Sequence, residues 1–134
     1  MLASLTGQLE AVCEDRAQVR IGPLVIDVYL PAATRSSLEP SVGSDVTLHT
    51  LLVLEASGQG ASMTPRVLGF GSTQERAFFE LFTTVKNIGH RKALRALEVP
   101  VADVAAAIAR RDVAFLVGLP EIGRRTAETI IAEL

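Results

Sequence analysis

A nine-residue pattern occurs twice in the second half of the chain, and it constrains the fold more than any other sequence feature. Residues 85–93 read VKNIGHRKA and residues 119–127 read LPEIGRRTA, so an Ile-Gly pair recurs after 34 residues. In both copies an apolar residue precedes the isoleucine by three positions, and an arginine and an alanine follow the glycine by two and four positions. Each copy lies between two segments of helical periodicity. We therefore predict two helix–turn–helix hairpins, because two copies are too few to stack into a helical solenoid.

The residue types in each copy are typical of a phosphate-binding hairpin. A glycine at the start of a helix lets a ligand approach the backbone, and the N–H groups of the first helical turn point outward toward an anion. Arginine and lysine beside that glycine add charge-assisted hydrogen bonds to phosphate. Such a hairpin grips a phosphate backbone without reading bases, so its binding is sequence-independent and salt-sensitive. The simpler alternative is a hairpin that needs glycine only for its geometry; matched basic residues in two copies favour phosphate binding.

The hydrophobic pattern changes near residue 70. Before it, β-branched and leucine-rich runs alternate with glycine and proline turns, which predicts a small barrel or sandwich. The predicted strands include residues 18–21, 24–30, 46–54 and 66–70, with a loop over residues 56–65. After residue 71 the apolar residues follow helical spacing, starting from a capping box formed by Ser72 and Glu75. Further helices are predicted over about residues 89–97, 101–110, 113–117 and 123–134.

Charge is distributed unevenly between these two halves. The 134 residues carry 13 lysines and arginines against 15 acids, and the formal net charge of −2 argues weakly against a nucleic-acid partner. Residues 1–66, however, hold seven acids and four bases, whereas residues 67–134 hold eight acids and nine bases. The net charge is therefore an average over an acidic half and a half whose basic residues cluster at the two hairpins.

Several functional classes have no support in the sequence. A single cysteine, Cys13, excludes an internal disulfide framework and indicates a reducing, cytoplasmic environment. No apolar run reaches the length of a membrane helix, and no secretory signal is recognisable, so no membrane partner is expected. His49 and His90 lack partners for catalysis or metal binding, and no ATP-binding loop motif is present. We therefore expect no catalytic residue, no metal site, no cofactor and no enzymatic activity of the chain by itself.

The order of these segments resembles the RuvA family, the Holliday-junction-binding subunits of a bacterial branch-migration machine. The resemblance rests on Leu5, Gly7 and Leu9 near the start, on the Leu-Gly-Phe triplet at 68–70, and on the Thr-Ala-Glu triplet at 126–128. Taken singly these matches are weak, but their order along nearly the whole chain makes the resemblance strong.

The resemblance implies a multi-domain α+β protein. A five-stranded OB-fold β-barrel over residues 1–66 would serve oligomerisation at the junction centre, and an all-α domain over residues 70–134 would carry two helix-hairpin-helix motifs. The implied assembly is a homotetramer that binds four-way junction DNA, with a RuvB-type hexameric ATPase as the motor. The family's third domain, which contacts the motor, is absent from these residues, and the last predicted helix reaches Leu134 without a glycine or proline stop. Either a longer parent chain supplies that domain or the protein has no motor interface, and the sequence leaves both possibilities open.

The resemblance also implies the site residues. The DNA-binding positions are those around the start of each hairpin's second helix: Ile88, Gly89, His90, Arg91, Lys92, Ile122, Gly123, Arg124, Arg125 and Thr126. Glu55 corresponds to one acid of a family pair that forms an acidic pin at the tetramer centre, whereas Ala56 replaces the second acid. Asn87 and Glu121 stand where the family hairpins usually carry glycine. Asparagine tolerates a left-handed backbone, but the Glu121 carboxylate would repel a nearby phosphate.

Two alternative functions remain open from the sequence. One is a divergent general DNA-binding protein of the same architecture without a motor partner. The other is a protein-interaction module whose hairpins no longer bind DNA, which the carboxylate of Glu121 would permit. Equal affinity for a junction and a linear duplex would indicate the first alternative, and absent or salt-insensitive DNA binding would indicate the second.

Overall fold

The structure is a computed structural model that describes residues 2–56 and 62–134. It divides into two compact units. The first contains the residues up to Leu30 together with Thr34–Arg76, and the second contains Pro31–Ala33 together with Ala77–Leu134. The five strands lie in the first unit, and the second unit is helical.

Five strands close the first unit into a barrel. They are β1 (Ser4–Cys13), β2 (Arg16–Ile21), β3 (Leu24–Tyr29), β4 (Asp45–Ala56) and β5 (Met63–Phe70). Their order around the barrel is β1-β2-β3-β5-β4, and pairing of β4 with β1 closes it. Among these described strands, β3 and β5 are the parallel pair, through Val28↔Val67 and Tyr29↔Leu68, and the other neighbours are antiparallel. The predicted α+β class, with a five-stranded barrel of the OB type followed by helices, is confirmed.

The barrel interior is filled by aliphatic side chains from alternate positions along the strands. Its buried core consists of Leu5, Leu9, Ala17, Val19, Val28, Leu30 and Leu48. Two glycines let neighbouring chain segments approach closely. A Cβ on Gly7 would lie 2.3 Å from the carbonyl oxygen of Arg20, and a Cβ on Gly69 would lie 2.5 Å from Cγ1 of Val28. Any side chain at either position would force the barrel to shift.

An ion pair links β1 and β2 on the barrel surface. The Arg20 guanidinium donates a hydrogen bond to the carboxylate of Glu10. This hydrogen bond, more than the attraction between the two charges, holds the pKa of Glu10 below its ordinary value. The same hydrogen bond raises the pKa of Arg20.

The structure differs from the sequence-based prediction in two connections, the one between β4 and β5 and the one between β3 and β4. The predicted loop over residues 56–65 is wrong at both ends, because Ala56 ends β4 and Met63 begins β5; residues 57–61 lie outside the described part of the chain. Helix α1 (Ala32–Leu38), which is followed by a 3-10 turn over Glu39–Ser41, was not predicted from the sequence. Within α1 only Thr34 is buried, so this segment carries no apolar stripe that would reveal a helix.

Five further helices follow the barrel strands. They are α2 (Thr73–Phe82), α3 (His90–Ala96), α4 (Val101–Ala109), α5 (Val113–Val117) and α6 (Arg124–Glu133). At the start of α2, the Ser72 hydroxyl oxygen accepts a hydrogen bond from the Glu75 N–H at 3.1 Å, and the Glu75 carboxylate accepts one from the Gly71 N–H at 3.0 Å. The predicted capping contact is therefore present, although its return bond goes to the residue before Ser72. None of the helices in the described ranges is both long enough and apolar enough to cross a membrane.

The core of the helical unit combines aromatic and aliphatic side chains with fully buried alanines. Its large buried residues include Phe79, Phe82, Val85, Leu97, Val104, Leu116 and Ile130. The buried alanines are Ala93, Ala96, Ala107 and Ala127. Alanine at these positions lets short helices pack closely, and the packing holds the two turns that precede α3 and α6.

Candidate functional site

The two copies of the sequence repeat form the same backbone turn. In residues 85–88 the Ile88 N–H donates to the Val85 carbonyl at 3.1 Å, and in residues 119–122 the Ile122 N–H donates to the Leu119 carbonyl at 3.2 Å. Both bonds join the first and fourth residues of a β-turn. The sequence repeat is therefore also a structural repeat, with α3 following the first turn and α6 following the second.

The third residue of each turn has a left-handed backbone. Asn87 has φ of +71° and Glu121 has φ of +63°, as a type II turn requires at this position. Asparagine adopts this conformation readily, so the expectation for Asn87 is confirmed. For a glutamate, the same left-handed conformation costs about 1 kcal/mol of conformational free energy. Something beyond local backbone preference must therefore account for the glutamate in the second turn.

A glycine forms the N-cap of the helix after each turn, with nearly identical geometry in the two copies. Gly89 has φ −85° and ψ 175°, and Gly123 has φ −84° and ψ 174°. This is extended backbone that any residue adopts. A Cβ added to either glycine would meet no heavy atom within 4 Å. Neither the backbone nor the packing of the chain itself therefore requires glycine, and both positions are exposed.

Buried side chains beneath the turns hold the two glycines in place. Ile88 and Ile122 are each 3% exposed, and Ala93 and Ala127 are fully buried. The N–H groups of these alanines donate to the carbonyls of Gly89 and Gly123 at 3.0 and 2.9 Å. Both isoleucines are among the DNA-binding positions predicted from the sequence. Their burial limits that role to the backbone, because the side chains face the core.

The basic residues of the first hairpin differ in their surroundings. His90 is half-buried, and its ring stacks on Phe79 with centroids 5.9 Å apart and an interplanar angle of 21°. Arg91 is exposed and Lys92 is half-buried. His90 therefore helps to join α3 to α2, a contact that the sequence analysis missed because the two rings lie eleven positions apart in the chain.

In the second hairpin, two adjacent arginines have different partners. Arg124 donates from Nε to the Glu128 carboxylate one helical turn later, at 3.2 Å. Arg125 is exposed and forms no ion pair with another described residue, and Thr126 behind it is half-buried. Part of the positive charge predicted for this hairpin is thus balanced within α6 itself, and Arg125 supplies the remainder.

The Glu121 carboxylate is paired with an arginine from the first hairpin. Arg95, in α3, donates from Nε to Oε2 and from Nη2 to Oε1, the second contact being 3.0 Å long. The pair joins residues 26 positions apart in the sequence. Arg95 lies outside the DNA-binding positions that were predicted from the sequence. Its actual partner could be found only from the tertiary structure.

Glu55, the predicted pin residue, lies near the end of β4 and is also ion-paired. Its Oε2 lies 2.6 Å from Nε of Arg66 on β5, and the Arg66 guanidinium stands over the Tyr29 ring, 4.7 Å from its centroid. The Glu55 carboxylate is therefore held by a cation that is itself packed against an aromatic ring. Within residues 2–56 and 62–134, no group of three or more histidine, cysteine or acidic side chains is placed to hold a metal ion.

Comparison with known proteins gives a consistent result for both units. The family model described as "RuvA N terminal domain" matches residues 1–59, and the model described as "SAM-like Helix-hairpin-helix tandem" matches residues 79–134. Three relatives are each named "Holliday junction branch migration complex subunit RuvA". The chain is 40% identical to that of Rhodopirellula baltica, 35% to that of Desulforapulum autotrophicum and 32% to that of Methylibium petroleiphilum.

These matches cover the whole of this chain but not the whole of the relatives. The aligned part is 65%, 61% and 67% of the three relatives, respectively. The chain thus spans about two thirds of the length of the curated relatives that it matches.

Proposed function

The chain belongs to the RuvA family, and from that premise we propose that it binds four-way (Holliday) DNA junctions as the non-motor subunit of a branch-migration complex. Support comes from the relatives' names, from the alignment along all 134 residues, and from the geometry of the two hairpins. In this proposal the OB-type barrel domain of residues 1–66 serves the junction centre, and residues 70–134 form the tandem helix-hairpin-helix domain that holds DNA.

The paired N-cap glycines are the observation that carries this proposal. Gly89 and Gly123 have ordinary backbone angles, and a Cβ at either position would meet only open space, so nothing within the described chain accounts for them. A ligand that approaches the backbone closely does account for them, because even a methyl group would keep it at a distance. The same arrangement occurs at both hairpins, as expected for a ligand with repeating phosphates.

The residues of each hairpin would share the work of holding phosphates. Backbone N–H groups at Gly89 and Gly123 would face the phosphates, with the buried isoleucines contributing backbone only. Arg91 and Lys92 in the first hairpin and Arg125 in the second would add charge-assisted hydrogen bonds. The remaining predicted positions are His90, Arg124 and Thr126. Of these, His90 would act mainly by holding α3 against α2, because its ring stacks on that of Phe79. None of these contacts reads a base, so specificity would come from DNA shape.

The barrel would supply self-association. Large apolar side chains are exposed on it, notably Leu24, Leu52, Leu54 and Met63. Contiguous apolar patches mark interaction surfaces, and Leu52 and Leu54 lie two positions apart on the same face of β4, which supports the homotetramer that the family resemblance implies. Glu55 would lie at the tetramer centre as the acidic pin. Its pairing with Arg66 predicts a weaker repulsion of DNA than an unpaired acid would exert.

The proposal assigns ATP hydrolysis to a partner. The chain would act in the cytoplasm as a DNA-binding subunit without catalysis of its own, and a RuvB-type hexameric ATPase would drive the movement of the junction arms. The alternative of a protein-interaction module loses its main support, because the carboxylate of Glu121 is neutralised by Arg95. A general DNA-binding protein without a motor partner remains the competing function.

A titration of labelled DNA with the purified chain tests the proposal. We expect a four-way junction to bind at least about tenfold more tightly than a linear duplex with the sequence of its arms. With about six or more phosphate contacts, affinity should fall by about a thousandfold or more between 50 and 200 mM salt. Equal affinities would refute junction specificity and favour the general DNA-binding alternative. Light scattering of the same sample tests the tetramer, and a monomer would contradict it.

A further inference from the structure

We infer that Arg95 is a positioning residue of the second hairpin, which neutralises the Glu121 carboxylate and ties it to α3 so that the hairpin can accept a phosphate. This inference rests on the proposed DNA binding and adds to it a residue outside the predicted hairpin positions. It starts from a conflict in the second turn. A carboxylate stands two residues before the N-cap Gly123, in a position where an acid would repel the phosphate that the glycine is suited to receive.

The conflict is electrostatic and local. Two residues of extended chain span at most about 7 Å, so the backbone of Glu121 lies within about one Debye length of the Gly123 N–H at physiological salt. At that range solvent screening is incomplete, and an unpaired carboxylate would lower the local affinity for an anion. A glutamate in this turn also carries the cost of its left-handed backbone.

The geometry of the pair resolves this conflict. Both oxygens of Glu121 are engaged by the Arg95 guanidinium, one by Nε and the other by Nη2. Two-point contact of this kind fixes the orientation of the carboxylate as well as neutralising its charge. Because Arg95 belongs to α3 and Glu121 to the second turn, the pair also connects the two hairpins directly.

The remaining charges of the second hairpin then have a simple arrangement. Glu121 is balanced by Arg95, and Arg124 is balanced by Glu128. Arg125 stays as the cation without an ion-pair partner among the described residues. Loss of Arg95 would leave Glu121 to oppose Arg125 at the phosphate position, and the hairpin would lose its net positive charge.

A double-mutant cycle separates this role from direct phosphate binding by Arg95. Junction and duplex DNA are titrated with the wild-type chain, Arg95→Gln, Glu121→Gln and the double variant. We expect Arg95→Gln to weaken binding roughly three- to tenfold. The double variant should bind within about twofold of the wild type, because it removes the carboxylate together with its partner. In the double variant the slope of log affinity against log salt should equal that of the wild type.

Arg110→Gln is the matched control. Arg110 pairs with Asp112 at 3.4 Å, and the exposed fractions of these side chains, 59% and 37%, are close to the 55% and 41% of Arg95 and Glu121. This pair lies between α4 and α5, outside both turns and away from both N-cap glycines in the sequence, so its loss should leave DNA affinity unchanged. Thermal unfolding of every variant monitors folding, and exposed pairs of this kind contribute little to stability, so all should fold.

Three results would overturn the inference. If Arg95→Gln binds as tightly as the wild type, the pair has no role in DNA binding. If the double variant is as weak as Arg95→Gln and its salt slope falls by about 0.9, Arg95 is itself a phosphate ligand. If the wild type binds no DNA at all, the proposed function fails, and the positioning role fails with it. The wild-type titration therefore reports on the proposed function, and the cycle reports on Arg95.

Discussion

Replacement of Gly89 or Gly123 by alanine should strongly weaken DNA binding while leaving the fold intact. At each position the new methyl group would meet no heavy atom within 4 Å, and the backbone angles are open to alanine. Alanine is a poorer N-cap than glycine, but it also reduces the conformational entropy of the unfolded chain. Each effect is worth about 0.5 to 1 kcal/mol, and the two have opposite signs. The free energy of unfolding should therefore change by less than about 0.5 kcal/mol, which is a shift in Tm of under about 3 °C.

The expected effect on binding is much larger. A methyl group directed toward the ligand would prevent a phosphate from reaching the backbone N–H groups, and a hydrogen bond to a charged group contributes about 1.5 to 3 kcal/mol. Loss of one such contact weakens binding roughly 10- to 100-fold, since about 1.4 kcal/mol corresponds to a factor of ten. We expect this loss at each hairpin, and a larger loss in the double variant.

Fluorescence anisotropy with a labelled four-way junction measures the affinity, and thermal unfolding followed by circular dichroism measures stability. Gly69→Ala is a control variant that should lose stability, because its Cβ would lie 2.5 Å from Cγ1 of Val28 inside the barrel. Overpacking of this kind costs about 1 to 3 kcal/mol, so this variant should lose about 4 to 12 °C in Tm. Unchanged junction affinity of stable Gly89→Ala and Gly123→Ala variants would refute the assignment of the hairpins as the DNA-binding site.

Three further predictions address charge, pH and packing. Arg125→Ala should reduce the steepness of the plot of log affinity against log salt by about 0.9. Arg124→Ala removes a cation that is already paired, so it should reduce the steepness less. Equal slopes for the two variants would contradict the charge arrangement of the second hairpin. The pKa of Glu10 is lowered by Arg20, so this pair contributes stability above the ordinary carboxyl pKa and loses it as pH falls through the lowered value. The Tm difference between wild type and Glu10→Gln should accordingly be constant from pH 6 to 8 and shrink below about pH 4, and a difference that grows in acid would contradict it. Ile122→Ala removes a side chain that is only 3% exposed, so it should lower the free energy of unfolding by about 2 to 5 kcal/mol in a denaturant titration. A loss below about 1 kcal/mol would show that this residue does not anchor the turn.

Local pattern was sufficient to predict most of the secondary structure and the two hairpins of the candidate site. The repeat at residues 85–93 and 119–127 predicts two hairpins, and the structure contains two matching turns with glycine N-caps. The helix predicted over 113–117 has the same bounds in the structure. These features depend on residues close together in the chain, whose periodicity and turn chemistry are visible in the sequence. The assignment of individual DNA-binding residues is a prediction that the binding experiments will test.

Contacts between distant residues were decided only by the tertiary structure. The sequence presents Glu121 as an acid that conflicts with phosphate binding, whereas the fold places Arg95 against it from 26 positions away. In the same way, pairing of β4 with β5 places Arg66 beside Glu55, which lowers the repulsion of DNA expected from the proposed acidic pin. A one-dimensional pattern records the type and spacing of charges but not the distances between them after folding. Since electrostatic interaction depends on those distances, the sequence determined where the hairpins form, and the tertiary structure decided which of their charges are left for the proposed contact with DNA.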